Sequence, residues 1–71
     1  MEPLTPFQRG TLIAHADDVA TDLSQKWGRS SMGAPTYSNE RGWHIEVVGL
    51  LDDILMDTVI VYPTGAREMA S

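Results

Sequence analysis

The chain has 71 residues and no cysteine, and its ten Asp and Glu residues against five Lys and Arg give a formal net charge of −5. This length allows one domain with a small core, and the lack of cysteine excludes disulfide bridges and thiolate metal sites. The negative charge disfavours nucleic-acid binding, which needs clustered Lys and Arg to neutralise phosphates. A basic surface of another protein, or a protein site that normally holds nucleic acid, is the more natural partner.

The first residues show no targeting signal. Met1, Glu2 and Pro3 carry no basic segment and no apolar run follows them, so no secretory signal is predicted. No stretch approaches the ~20 apolar residues that a membrane-spanning helix needs. We therefore expect a cytoplasmic protein in which residues 1–71 form a single small domain.

An amphipathic helix is predicted over residues 5–27. Thr5 can cap it, Pro6 fits the first helical position and Gln8 completes a capping box. Gly28 follows where a C-terminal cap belongs. One face of this helix carries an apolar stripe at helical spacing, formed by Leu12, Ala16, Val19, Leu23 and Trp27.

A β-meander of about three antiparallel strands is predicted over residues 36–62. The strands are rich in β-branched and aromatic residues and cover 36–37, 43–48 and 58–62. Residues 29–35 contain turn-forming Ser, Gly and Pro and are predicted as a loop, and residues 63–71 as a flexible tail. The expected fold is α+β, with one N-terminal amphipathic helix packed on a small antiparallel sheet (α-β-β-β).

The middle strand has two unlike faces. Trp43, Ile45 and Val47 fall on one face, and His44 and Glu46 fall on the other. We therefore expect the first three side chains to be buried and the other two to be in water.

Residues 49–57 suit two interpretations. A turn around Asp52 and Asp53 would join two antiparallel strands, and this is the favoured prediction. The alternative is one or two helical turns. The spacing of the apolar residues here also suits a helix: Leu50, Leu51, Ile54 and Leu55.

Two acidic clusters are candidate surfaces for Lys and Arg of a partner. The helix carries Asp17, Asp18 and Asp22, and the sheet tip carries Asp52, Asp53 and Asp57. The alternative interpretations are a solvated helix face for the first cluster and plain turn chemistry for the second. A hard-cation site would need more oxygen ligands than the tip cluster supplies.

Aromatic residues are further candidates. A core of this size can hold about two of them fully, so we expect one or two to be exposed. An exposed aromatic surrounded by charge is typical of a binding hot spot. The last strand, with its run from Val59 to Val61, is also a possible edge for an added partner strand. The two tryptophans and two tyrosines, which carry much of the aromatic area, are Trp27, Tyr37, Trp43 and Tyr62.

Metal and catalytic chemistry have little support. His15 and His44 each precede a carboxylate by two residues, but a zinc site would still need a third protein ligand. Ser30 and Ser31 have no histidine near them in sequence to act as a base. We therefore predict no metal, no cofactor and no catalytic residue.

Two segments carry a family resemblance. Residues 5–10 (TPFQRG) and 41–48 (RGWHIEVV) resemble the small inhibitor of bacterial RNA polymerase that a Xanthomonas phage encodes, one of the phage host-takeover proteins. The resemblance implies a non-enzymatic protein that binds the host polymerase near the amino-terminal part of its largest subunit. There it would block promoter use and alter termination. It transfers no binding residue, because no motif determines the alignment.

The predicted function is a monomeric, non-enzymatic protein that binds bacterial RNA polymerase in the host cytoplasm and inhibits or redirects transcription. The first alternative is an anti-CRISPR protein or DNA mimic that inhibits another host machine. The second is a small metal-binding protein that uses His15 and His44. The predicted partner-binding residues are Asp17, Asp18, Asp22, Trp43, Glu46, Asp52, Asp53 and Tyr62.

Overall fold

A computed structural model describes residues 2–70. Over these residues it contains one helix and five strands, which confirms the predicted α+β class. Met1 and Ser71, the two ends of the predicted domain, lie outside the described residues. Ser71 is also the last position of the predicted tail. The elements in chain order are α1 (Pro6–Trp27), β1 (Arg29–Met32), β2 (Thr36–Ser38), β3 (Gly42–Leu51), β4 (Ile54–Val61) and β5 (Arg67–Met69).

Local sequence sets both ends of α1. The Gln8 N–H donates to the Thr5 hydroxyl at 3.1 Å, and the Thr5 N–H donates to the Gln8 side chain at 3.0 Å. The predicted capping box is therefore present. At the other end, Gly28 adopts a left-handed φ of 104° and donates its N–H to the Ser24 carbonyl at 2.7 Å. Glycine adopts this conformation without the steric penalty that a Cβ would bring.

The strand β3 is the centre of the sheet. Its neighbours are all antiparallel to it, and the order is β1-β3-β4-β5, with β2 also paired to β3. Met32 of β1 lies opposite Val47, and Thr36 of β2 lies opposite His44, so one extra residue separates the two pairings. In that interval the Gly33 N–H donates to the Glu46 carbonyl at 3.0 Å. The strands β1 and β2 therefore follow β3 with a local interruption between them.

The prediction of about three strands was too low. The segment predicted as a loop contains β1, and the segment predicted as a tail contains β5. Both strands are short and mostly polar, so no apolar alternation distinguishes them from loops. They form because β3 and β4 present unpaired backbone N–H and C=O groups that an adjacent strand can satisfy.

The core lies between α1 and one face of the sheet. The helix buries the predicted apolar stripe as far as Leu23, while Trp27 packs at its margin. Ile45 and Val47 of β3 are buried as predicted. The buried core residues are Leu12, Ala16, Val19, Leu23, Ile45, Val47, Val59 and Val61.

The outer face of the sheet departs from the prediction at one residue. His44 was expected in water, but it is only 5% exposed, and its Nδ1 lies 2.9 Å from the Gly42 carbonyl oxygen. Thr36 of the neighbouring strand lies opposite it. Glu46 is exposed as expected, and the residue whose N–H donates to its carbonyl is Gly33, which has no side chain.

A hairpin of β3 and β4 continues beyond the point where Trp27 packs on the sheet. Asp52 and Asp53 form its turn with φ values of 50° and 64°, and Leu51 pairs with Ile54. Two consecutive positive φ values are typical of the type I′ turn, whose twist matches that of the strands. This confirms the predicted turn and excludes the helical alternative. We call residues 50–57 the finger.

The sheet and helix together give an elongated molecule of 38 × 21 × 17 Å. Within residues 2–70, no helix has the length and apolar composition that crossing a bilayer would require.

Candidate protein-binding surface

The finger exposes large apolar side chains. Ile54 is 64% exposed and Leu55 is 58% exposed, and Leu51 and Met56 are partly exposed. Strand alternation and the pairing of Leu51 with Ile54 place these two on one face and Leu55 on the other. Both faces of the finger are therefore apolar. Exposed large apolar side chains grouped at one end of a small protein are typical of an interaction site.

Two carboxylates lie at the end of the finger. Asp53 accepts a hydrogen bond from the Arg29 guanidinium at 2.9 Å, and both side chains are well exposed. Such an exposed pair contributes about 0–1 kcal/mol, so it is easily exchanged. Asp52 has no ion-pair partner among the described residues. The predicted residues Asp52 and Asp53 are therefore accessible and stand beside the exposed apolar side chains.

Trp27 packs at the base of the finger, next to Gly49 and Asp57. Its indole Nε1–H donates to Asp57 Oδ2 at 2.7 Å, and Lys26 Nζ lies 3.4 Å from the same oxygen. The Lys26 ammonium also lies 5.0 Å from the centroid of the Trp27 ring. The hydrogen bond from Trp27, with Lys26 as a second cause, lowers the pKa of Asp57 below its ordinary value. Asp57 therefore joins the helix to the sheet, whereas the other two aspartates of the tip cluster face solvent.

The Trp27–Asp57 hydrogen bond predicts a specific pH dependence. Because folding lowers the pKa of Asp57, the stability from its carboxylate is present above the ordinary pKa of Asp and is lost as the pH falls through the lowered value. We expect Asp57→Asn to flatten the fall in unfolding free energy below about pH 4, measured by urea denaturation across pH. Trp27→Phe, which removes the donor, should flatten it in the same way. If the unfolding free energy of both variants falls at low pH as steeply as that of the wild type, this account of Asp57 is contradicted.

A groove of about 370 Å³ runs between the end of α1 and the finger. Trp27 and Leu50 supply apolar walls, and the two tip carboxylates lie at its rim. We call it the finger groove. It is lined by Trp27, Gly28, Arg29, Leu50, Leu51, Asp52 and Asp53.

The helix acids form a separate surface. Asp17 and Asp18 are exposed. Asp22 is also exposed, and its Oδ2 lies 3.3 Å from Arg67 Nη1 of β5. The predicted helix cluster is therefore accessible, but one of its three members already interacts with the chain itself.

Trp43 lies at the opposite end of β3 and is only half-buried, although it was predicted to be buried with Ile45 and Val47. Its Nε1–H donates to the Glu2 carbonyl at 2.6 Å, and its ring packs edge-on against Tyr37 with centroids 5.6 Å apart. It contributes to a second groove, of about 350 Å³, next to the N-terminal segment. These contacts hold that segment on the sheet.

Tyr62 belongs to a polar cluster that links the β2–β3 turn to β5. Its hydroxyl donates to Glu68 and accepts from Arg41 at 3.1 Å. The hydrogen bond from Tyr62, together with Arg41, lowers the pKa of Glu68 below its ordinary value. The Tyr62 hydroxyl is therefore engaged within the chain.

The two histidines occupy different environments. His15 of α1 lies beside Gly65, whereas His44 is buried in β3. Among residues 2–70, no group of three or more His, Asp and Glu side chains is placed to hold a metal ion.

Sequence reasoning missed the apolar residues of the finger and the role of Trp27. A usable signal was present, since apolar residues flank the Asp52-Asp53 pair on both sides. A helix that ends at Trp27 cannot cover both faces of such a hairpin. The pairing of Trp27 with Asp57 joins residues far apart in the chain, and no local pattern predicts it.

Comparisons of the chain with protein-family models, with curated proteins and with solved structures give no match. The function is therefore inferred from the exposed apolar side chains of the finger, the carboxylates at its tip and the groove at its base.

Proposed function

We propose that this chain is a non-enzymatic regulator that acts by binding another protein through the finger. The supporting observation is the exposure of Leu51, Ile54, Leu55 and Met56 together at one end of the molecule. Fully burying a side chain of this kind on a partner is worth about 1.5–3 kcal/mol. In the free chain Ile54 and Leu55 are mostly in water and Leu51 and Met56 are partly exposed, so folding does not use all of this apolar surface.

The position of the core supports a binding role for the finger that is separate from folding. Its buried residues come from α1, from β3 before Val48 and from β4 after Thr58, and the finger supplies none of them. The exposed side chains of the finger can therefore be changed with small effects on stability, typically within about 0.5 kcal/mol for surface positions. An apolar surface that folding does not require is available for binding.

The partner we propose is bacterial RNA polymerase, near the amino-terminal part of its largest subunit. Two observations support this choice. The segments at 5–10 and 41–48 resemble the phage inhibitor described above, and the net charge of −5 suits a basic protein surface. The mechanism is steric and electrostatic: the bound chain occupies a surface that the polymerase needs for promoter use.

The test is co-elution with purified bacterial RNA polymerase and suppression of promoter-dependent transcription. We expect the double variant Ile54→Ser and Leu55→Ser to bind at least about tenfold more weakly, because two desolvated apolar anchors are removed. Phe7→Ser is the matched control, since Phe7 is 83% exposed but lies on the first turn of α1. Urea denaturation of both variants checks that they remain folded.

Two results would contradict the proposal in different ways. Unchanged transcription at saturating wild-type protein would reject RNA polymerase as the partner. Equal weakening by Phe7→Ser and by the double variant would reject the finger as the contact surface.

A further inference from the structure

We propose that the finger groove receives an apolar side chain from a basic segment of the partner protein, and that a neighbouring Lys or Arg of this segment pairs with Asp52 and Asp53. This inference rests on the proposed protein-binding function and adds the chemistry of the partner to it. The chain itself supplies both halves of the recognition, an apolar wall and an acidic rim.

The apolar half comes from Trp27, Leu50 and Leu51. The Nε1–H of Trp27 already donates to Asp57, so the part of the ring that lines the groove offers apolar surface without an unsatisfied donor. A volume of about 370 Å³ lies at the small end of the range of ligand pockets. It suits one or two inserted side chains of a protein segment. Partly buried tryptophans of this kind are enriched among binding hot spots.

The acidic half comes from the type I′ turn. Asp52 has no ion-pair partner within the described part of the chain, and the carboxylate of Asp53 is 82% exposed although Arg29 contacts it. An incoming cation can therefore pair with Asp52 and compete with Arg29 for Asp53. An acidic segment would instead be repelled at the same rim, so charge complementarity selects a basic partner.

The test is a titration of the complete ¹⁵N-labelled chain with two synthetic peptides followed by NMR. One peptide alternates leucine with lysine, and the other alternates leucine with glutamate. We expect the lysine peptide to shift the indole N–H of Trp27 and the amides from Leu50 to Asp53. The glutamate peptide should leave these resonances in place.

Charge variants identify the rim. We expect Asp52→Asn with Asp53→Asn to weaken binding of the lysine peptide by about tenfold, since two ion pairs are lost. Asparagine tolerates positive φ, so the turn is retained. Asp17→Asn with Asp18→Asn makes the same change in net charge on the exposed face of α1 and should leave the Kd within about twofold. Arg29→Gln should tighten binding by roughly twofold, because it frees Asp53 from its own partner.

Several outcomes would overturn the inference: equal binding of both peptides, shifts confined to another surface, no shifts at millimolar peptide, or full affinity after removal of both rim charges. Concentration-dependent shifts of the groove without peptide would assign it to a second copy of the chain, which also overturns it. If the chain binds RNA polymerase but neither peptide shifts the groove resonances, the groove inference is rejected and the proposed function is kept. If the lysine peptide binds the groove as expected but the chain does not bind RNA polymerase, the polymerase proposal is rejected and the groove inference is kept.

Discussion

Leu12→Ala is expected to destabilise the chain by about 2–5 kcal/mol, the range for removing a large buried aliphatic side chain. Leu12 is 0% exposed and lies in the core between α1 and the sheet. A chain of 71 residues has roughly 4–10 kcal/mol of total stability at the usual value per residue. The substitution therefore removes a large part of the total, and a substantial unfolded population should appear at 25 °C. Urea denaturation followed by circular dichroism measures the loss.

Ile13→Ala is the matched control for this prediction. Ile13 is the next residue on the same helix, but it is 37% exposed and lies outside the core cluster. We expect a loss of about 1 kcal/mol or less, because a half-exposed side chain leaves no closed cavity. Equal losses in the two variants would show that α1 does not present the stripe through Leu12 to the sheet.

Gly49→Ala is expected to destabilise the chain by roughly 1–3 kcal/mol through overpacking. A Cβ at this position would lie 2.7 Å from Cδ1 of Trp27 and 3.3 Å from Cβ of Leu23. The first contact is too short and the second is tight, so the indole must move away from the strand. That movement also strains the 2.7 Å hydrogen bond from Trp27 to Asp57. The Trp27 fluorescence and the urea midpoint should both change.

Gly33→Ala is the matched control for Gly49→Ala. A Cβ at Gly33 meets only the Glu46 carbonyl oxygen, at 3.5 Å, which is an ordinary contact. This variant should change stability by about 0.5 kcal/mol or less. In addition, Trp27→Ala in the Gly49→Ala background should cost less than Trp27→Ala alone, because the two residues share one space. If the stability losses of the two single variants simply add in the double variant, Trp27 does not pack on Gly49.

The helix was predictable because its signals are local. Thr5 and Gln8 lie three residues apart, Gly28 immediately follows the last helical residue, and the apolar stripe repeats within one continuous segment. A turn at Asp52 and Asp53 was the favoured prediction for the same reason, since this pair interrupts two apolar runs, whereas its type I′ geometry follows only from the φ values of the structure. These interactions form between near neighbours in the chain, so short windows of sequence contain the information.

Of the candidate site, the sequence indicated the carboxylates at the tip but not the apolar surface beside them. Whether Leu51, Ile54 and Leu55 are core or surface depends on where α1 ends relative to the hairpin. His44 is likewise buried at a position where β3 pairs with β2, a segment that its own strand does not contain. Both outcomes are set by packing between distant segments, which alternation within one strand does not report.

By itself, the sequence determined the helix and both of its ends, the α+β class and the acidic character of the chain, and it favoured a turn at Asp52 and Asp53 over a short helix. Only the tertiary structure decided that β1 and β5 are strands, that Trp27 and Asp57 meet, and that the finger extends beyond the helix. The physical reason is the range of the interactions. Caps and turns satisfy hydrogen bonds within a few residues, whereas edge strands and exposed patches depend on which distant backbone or side chain remains unpaired once the core has closed.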